Sequence, residues 1–351
     1  MSRDTVHCFT SFTYSYLGRA MILASTLKSA HPDWILWAVI TDEPPNAAYA
    51  TPPEHFDRIV YAKNLGFEHF ERWMFKHDIV EASTAVKGQM LRYLFNQGAG
   101  KVVYLDPDIA IFSGLEAIAG KLDEFSIILT PHQVAPNQIE GLVRDNEMTS
   151  LKYGIFNLGF VAVKGDDVGR GFADWWAQQL YFACYDDVPN GIFTDQKWCD
   201  LVPCLFDRVH IERDPGYNVA SWNISTREIK IARNGFILVN GSPLRFFHFT
   251  KINTAGDLMI EKNARDNVDV MELWNWYKRA LVDFSSDPPP PPKGYWHYAN
   301  FDNGVKIPKP ARVLFRERVD LFEYFANPFA TSGDSFFGWL QREKPAFLSA
   351  T

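Results

Sequence analysis

The chain is predicted to be an α/β protein, a mixed sheet flanked by helices with a C-terminal extension. Two observations carry this. The first half alternates short β-branched runs with helical repeats, the pattern of a sheet with helices on its faces. A proline run, Pro288 to Pro292, then separates the last long helix from an apolar tail. With 351 residues, of which 47% are hydrophobic and 22% charged, the chain can bury a large core.

The elements follow in order. Thr5 to Phe9 reads as a first strand. Leu17, Ala20, Met21, Ala24 and Leu27 recur at three and four, one buried stripe of a helix. Trp34 to Ile40 is a near-continuous apolar run, as in a central parallel strand covered on both sides. Ile59 to Tyr61 is a short third strand. Glu81 to Phe95 is a helix ending near Gly98, and it leads into the strand Lys101 to Leu105.

Ile127 to Leu129 and Phe156 to Val163 are further strands, followed by an aromatic helix over Gly169 to Tyr185. Ile237 to Asn240 and Leu244 to Phe249 flank Gly-Ser-Pro and read as a hairpin or tight strand pair. Asp269 to Phe284 is amphipathic. The expected division is a main domain over 1–284, a stiff spacer over 285–294 and an extension over 295–351 that packs back on the body.

A formal charge of -7 speaks against nucleic acid, which demands a basic footprint. It leaves room for a phosphorylated small ligand held by a metal and a few cations. The four cysteines (Cys8, Cys184, Cys199, Cys204) have no metal-knuckle spacing and read as packed thiols of a reducing compartment. No signal peptide and no bilayer-length apolar run stand out. The expected location is the cytoplasm, in solution or at the inner face of a membrane.

The strongest chemical signal is Val102-Val-Tyr-Leu-Asp106-Pro-Asp108-Ile-Ala-Ile. Two carboxylates fall where a buried strand emerges, the edge at which open α/β sheets bind ligands. Leaving both unpaired beside apolar strands is costly, so a hard cation, manganese or magnesium, is the expected partner. A solvated turn is the bland alternative. His248, in an aromatic run, is either a satisfied core histidine or the third ligand beside Asp106 and Asp108.

Asn157 and Gly159 interrupt a strand, which marks either close ligand approach or a bulge. Asp195 and Gln196 sit at an expected helix start, where Asp195 is either a functional acid or only a cap. Lys87 and Arg92 could reach phosphates. Five residues apart, they stand about 140° apart on a helix. Tyr16 could stack on a base or pack inside.

Taken in this order, these residues resemble the metal-dependent GT-A glycosyltransferases, whose fold is a Rossmann-like mixed sheet flanked by helices. They are most similar to the retaining family that includes glycogenin and the bacterial lipopolysaccharide galactosyltransferases. The resemblance runs over roughly the first 250 residues: Tyr16 with its helix, Lys101 to Asp108, Phe156 to Gly159, Asp195-Gln196, and His248. It implies a nucleotide-sugar donor, a uridine diphosphate sugar first among them, and transfer with retention.

By that likeness Asp106, Asp108 and His248 hold manganese. Thr10, Tyr16, Lys87, Arg92, Asp106, Gly159 and Lys251 serve the donor, and Asn157, Asp195 and Gln196 lie at the reacting sugar. The family follows its His with Gly and Lys-Pro-Trp. This chain has Phe-Thr-Lys251-Ile-Asn, so either Lys251 or a downstream Arg or Lys takes over at the leaving phosphate.

Tyr217, Asn218 and Trp222 resemble a Gly-Tyr-Asn-x-Ala-x-Trp-Asn stretch of bacterial transferases from cell-surface polysaccharide loci. They are expected either to face a saccharide, glycolipid or protein acceptor or to be buried scaffold. Two rival readings stand beside transfer. One is a different metal-dependent enzyme of similar fold, either a sugar-nucleotide hydrolase or a nucleotidyltransferase, and the glycine-poor Thr10 to Arg19 segment counts against the latter. The other is a non-catalytic nucleotide-sugar-binding scaffold.

Overall fold

The computed structural model of the chain describes residues 5–49, 55–284, 291–292 and 294–348. Its centre is a seven-stranded sheet. Strands β1 (Val6–Phe12), β2 (Ile35–Ile40), β3 (Arg58–Tyr61), β4 (Lys101–Leu105), β6 (Ile127–Pro131) and β7 (Phe156–Lys164) join the strand Val209–Ile211. The order across the sheet is Val209–Ile211, β6, β7, β4, β1, β2, β3. Strand β7 alone runs against its two neighbours. Its N-terminal half therefore lies beside the carboxyl end of β4, with Leu105 opposite Phe160.

Both faces of the sheet are covered, which explains why β1 is buried at every position. On one side pack α3 (Ile79–Asn96) and the helix Asp167–Ala183, with Trp73, Phe95 and Trp176 in one apolar cluster. α3 starts at a capping box in which the Asp78 side chain accepts from Glu81 N and the Glu81 side chain accepts from Asp78 N. The crossing of the two helices is close enough that a Cβ on Gly88 would lie 2.5 Å from Ala177 N. On the other face α1 (Leu17–Ala30) packs Leu23, Ala24 and Leu27 against Cys8, Leu36 and Val103.

A second, smaller sheet carries the important departure from expectation. Ile237–Val239 does turn back onto Ser242–Pro243. The chain then leaves that hairpin, and Phe246–His248 pairs antiparallel with β5 (Ile109–Ile111), which had not been foreseen as a strand. His248 lies opposite Ile109, and Phe249 N donates to Asp108 O at 2.8 Å.

Residues 295–348 carry short helices and centre on Phe301, Phe315 and Phe336, packed around Phe75 of α2 (Phe70–Phe75). Arg312 donates to Phe75 O at 3.0 Å, and Trp296 Nε1 donates to Thr41 O at 3.1 Å. The expected spacer, 285–294, lies outside the described residues except for 291–292 and 294. Cys8, Cys184 and Cys199 are packed thiols as expected, whereas Cys204 is exposed. Among the described residues, no helix is long and apolar enough to cross a membrane.

Candidate metal centre and donor pocket

Two aspartates separated by one residue and a histidine far along the chain converge where β4 ends. One ligand atom each from Asp106, Asp108 and His248 lie within 4.8 Å of one another. His248 Nε2 stands 2.9 Å from Asp108 Oδ1 and 3.6 Å from Asp106 Oδ2. The pairing of Phe246–His248 with β5 makes this inevitable, because it sets the imidazole directly beyond the second aspartate.

The rest of the site orients that histidine. Its Nδ1 faces Asn157 Oδ1 at 3.2 Å. An amide oxygen accepts, so Nδ1 carries the hydrogen and Nε2 is left to bind a metal. Asn157 is fixed in turn, its Nδ2 lying 3.3 Å from His132 Nε2 and 3.5 Å from Gln196 Oε1. Gln196 also accepts from Leu158 N at 3.3 Å and donates to Tyr153 O at 3.0 Å. Gly159 makes the room: a Cβ there would lie 2.6 Å from His248 Cε1.

A buried cation underpins the first aspartate. Lys87 Nζ sits 2.8 Å from Asp195 Oδ2 and 3.3 Å from Asp106 Oδ1, and donates to Leu158 O at 2.9 Å. Tyr104 donates its hydroxyl hydrogen to Asp106 Oδ1 at 2.5 Å. Burial opposes charge on Lys87, but Asp106 and Asp195 outweigh it and hold the ammonium well above its ordinary value. Burial also pushes the Asp195 carboxyl up, against the pull of Lys87. These directions disagree about the pair. The short Nζ–Oδ2 contact, with a second carboxylate on the same lysine, favours the ionised form.

The aspartate and imidazole pair behaves as an ion pair. Burial disfavours charge on both, yet His248 draws Asp108 below the usual carboxylate range, and Asp108 with Asp106 raises His248. His132 is different: burial lowers it to about 4, so it stays neutral and accepts from Asn157. Two aspartates and an imidazole that gives up its Nε2 proton when an ion binds form a donor set suited to a divalent cation, and the Gly159 cradle and the Nδ1–Asn157 hydrogen bond fit that group.

The other expected residues divide. Thr10 is buried in β1 and its hydroxyl lacks a partner. Tyr16 is 42% exposed, with its ring under Arg19. Lys251 is exposed on a left-handed turn, φ 53°, three residues past His248. Arg92 does not enter the site. It points to the neighbouring helix and pairs with Asp174 at 2.9 Å, as the 140° separation from Lys87 allows.

Tyr217 and Asn218 offer no open platform. The tyrosine is buried against Phe246, and the asparagine, at φ 51°, donates to Pro131 O at 3.2 Å. Trp222 is half-buried and stands edge-on to His248, ring centres 5.4 Å apart.

Sequence reasoning missed His132, Tyr104 and Arg19. His132 does follow a strand at the same edge of the sheet, which was its available signal. A cleft of about 1040 Å³ lies elsewhere, between Phe70 and the Tyr295–Phe301 segment, and contains none of these groups.

No protein-family model matches the chain. Over 150 residues it is 27% identical to the uncharacterized protein YfnF of Bacillus subtilis (strain 168), covering 43% of this chain and 49% of that protein. It is 28% identical over 150 residues to YfnD of the same organism, covering 42% of this chain and 45% of YfnD. The chain thus spans about half the length of the curated relatives it matches.

Among solved structures it is similar to the galactosyltransferase LgtC in complex with donor and acceptor sugar analogs. The identity is 15% and the TM-score 0.48, covering 82% of this chain and 98% of that one. Mouse xyloside xylosyltransferase 1 in its apo form is similar at 11% identity and a TM-score of 0.41, covering 71% and 99%. At such scores the chemistry of the site rests on its own geometry.

Proposed function

We propose that the chain is a metal-dependent glycosyltransferase of the GT-A type. It moves a sugar from a nucleotide sugar, a uridine diphosphate sugar first among the candidates, to a saccharide, glycolipid or protein acceptor, with retention. The place we assign it is bacterial cell-surface polysaccharide assembly. The observation that carries the reading is the convergence of Asp106, Asp108 and His248 at the carboxyl end of β4, with Asn157 behind the imidazole.

A divalent ion held there would supply Lewis-acid stabilisation of the departing diphosphate. The chain's own groups do the rest. Lys87 holds Asp106 in place, and Asp195 anchors Lys87 from behind. Asn157 and Gln196, locked to each other and to the backbone, present fixed dipoles where positive charge develops on the sugar. Trp222 beside His248 is the acceptor-side surface that remains available, in place of Tyr217 and Asn218.

The test is calorimetric titration with uridine diphosphate, with and without manganese, on the wild type and on the Asp106→Ala/Asp108→Ala variant. Binding that demands both the ion and the carboxylates is the expected result. Uridine diphosphate binding that ignores the ion and the variant would overturn the reading. Sugar release to water with every acceptor offered would favour a hydrolase.

A further inference from the structure

Two of the three cations first expected at the donor's phosphates are engaged elsewhere. Lys87 is spent on two carboxylates and a carbonyl, and Arg92 on Asp174. Lys251 is exposed on its turn. One further cation does stand at the rim. The Arg19 guanidinium lies 4.5 Å from the centre of the Tyr16 ring, and among the described residues no carboxylate forms an ion pair with it.

Its position follows from how α1 lies along β5. Thr26 Oγ1 accepts from Ile111 N at 3.2 Å, and Ile22 is buried in one cluster with Ala110. Arg19, Ile22 and Thr26 share a helix face at spacings of three and four. Seven residues back from Thr26 is about 10.5 Å along a helix. Asp108 is the turn residue just before β5, at the end of that strand opposite Ile111. Going back from Thr26 to Ile22 on α1 therefore runs in the same sense as going back from Ile111 to Ala110 on β5, which puts Arg19 toward the Asp108 end. The electrostatics agree: after burial and His248, the charge of Arg19 also lowers Asp108, and it lowers Tyr16 and Tyr277 against burial.

We propose that Arg19 is the diphosphate-binding cation of this site, contacting the phosphates of the leaving nucleotide beside the ion held by Asp106, Asp108 and His248. This rests on the nucleotide-sugar reading. A nucleoside diphosphate carries more negative charge than one divalent ion cancels, and a guanidinium fork matches two phosphate oxygens at once. Stacking on Tyr16 holds the fork in place without consuming its hydrogens.

The experiment titrates uridine, uridine monophosphate and uridine diphosphate, with manganese present, into the wild type, Arg19→Ala, Arg19→Lys and Arg19→Gln. Loss of a charged hydrogen-bonding partner is expected to weaken diphosphate binding about ten- to hundredfold. Uridine binding stays unchanged, so the diphosphate's advantage over the monophosphate narrows, with Arg19→Lys intermediate. Melting curves confirm folding, and Arg19→Gln supplies the answer if the alanine variant does not fold. A diphosphate advantage equal to that of the wild type in both neutral variants overturns the proposal. Absence of manganese-dependent diphosphate binding in the wild type instead overturns the glycosyltransferase reading, and the role of Arg19 with it.

Discussion

Gly159→Ala isolates the geometry of the metal centre from its chemistry. The added Cβ would lie 2.6 Å from His248 Cε1, 2.8 Å from His248 Nδ1 and 2.8 Å from Asn157 Oδ1. Ordinary carbon contacts are about 3.5–4.0 Å, so the imidazole has to retreat by about 1 Å. No ligand is removed and no charge changes. A misplacement of that size costs about a hundredfold where geometry matters, while local overpacking costs about 1–3 kcal/mol of stability.

The expected outcome is a folded protein with a modestly lower melting temperature and manganese affinity weakened about ten- to hundredfold. Electron paramagnetic resonance of free manganese during titration reads the affinity directly. Gly120→Ala is the control. It sits in a helix with open space around the new methyl group, and is expected to add about 0.5–1 kcal/mol while leaving manganese binding unchanged. Manganese bound by Gly159→Ala as tightly as by the wild type would refute the convergence of Asn157, Gly159 and His248 on one ion.

Three further outcomes are expected. Lys87→Met strands the buried Asp195 carboxylate and should cost about 3–5 kcal/mol at neutral pH. Because burial already raises Asp195, the cost shrinks as falling pH protonates it; equal losses at pH 7.5 and pH 5 would contradict the ion pair. In chelator, His248, opposed by burial but raised by Asp108 and Asp106, stabilises the fold below its unfolded value of about 6.5, and that stability is lost as pH rises through its raised value. The lowered Asp108 contributes above about 3.9 and loses its share as pH falls further, so melting temperatures should decline on both sides, and His248→Ala should abolish the alkaline decline. Arg92→Ala removes a partly exposed ion pair, so stability should change by less than about 1 kcal/mol and uridine diphosphate affinity not at all.

The parts of the site legible in the sequence are those whose signal is local. Asp106 and Asp108 stand out because two acids interrupt an apolar run, and burial makes unpaired acids expensive. Asn157 and Gly159 stand out because an amide and a glycine break a strand, and the Gly159 position does lie against the His248 ring. Lys87 and Arg92 looked alike as cations on one helix. Only the facing of α3 separates them, one into the sheet edge and the other onto Asp174.

What escaped is non-local. His248 was readable as a ligand type, but Gly241-Ser-Pro suggested a hairpin that would have continued through it. The hairpin instead ends at Pro243, and Phe246–His248 pairs with a strand far back in the chain. Tyr217 and Asn218 illustrate the converse. Aromatic and amide residues suit a sugar surface or a core equally, and packing against Phe246 decided for the core. Arg19 is the most instructive case. Within its own segment it is an unremarkable helical arginine, and its meaning arises only because Ile22 and Thr26 lay the same helix face along β5. A cation's role at such an edge is therefore set by the register of a helix against a strand. In this chain the test for a phosphate ligand therefore includes the first turn of α1 as well as the loop after the histidine.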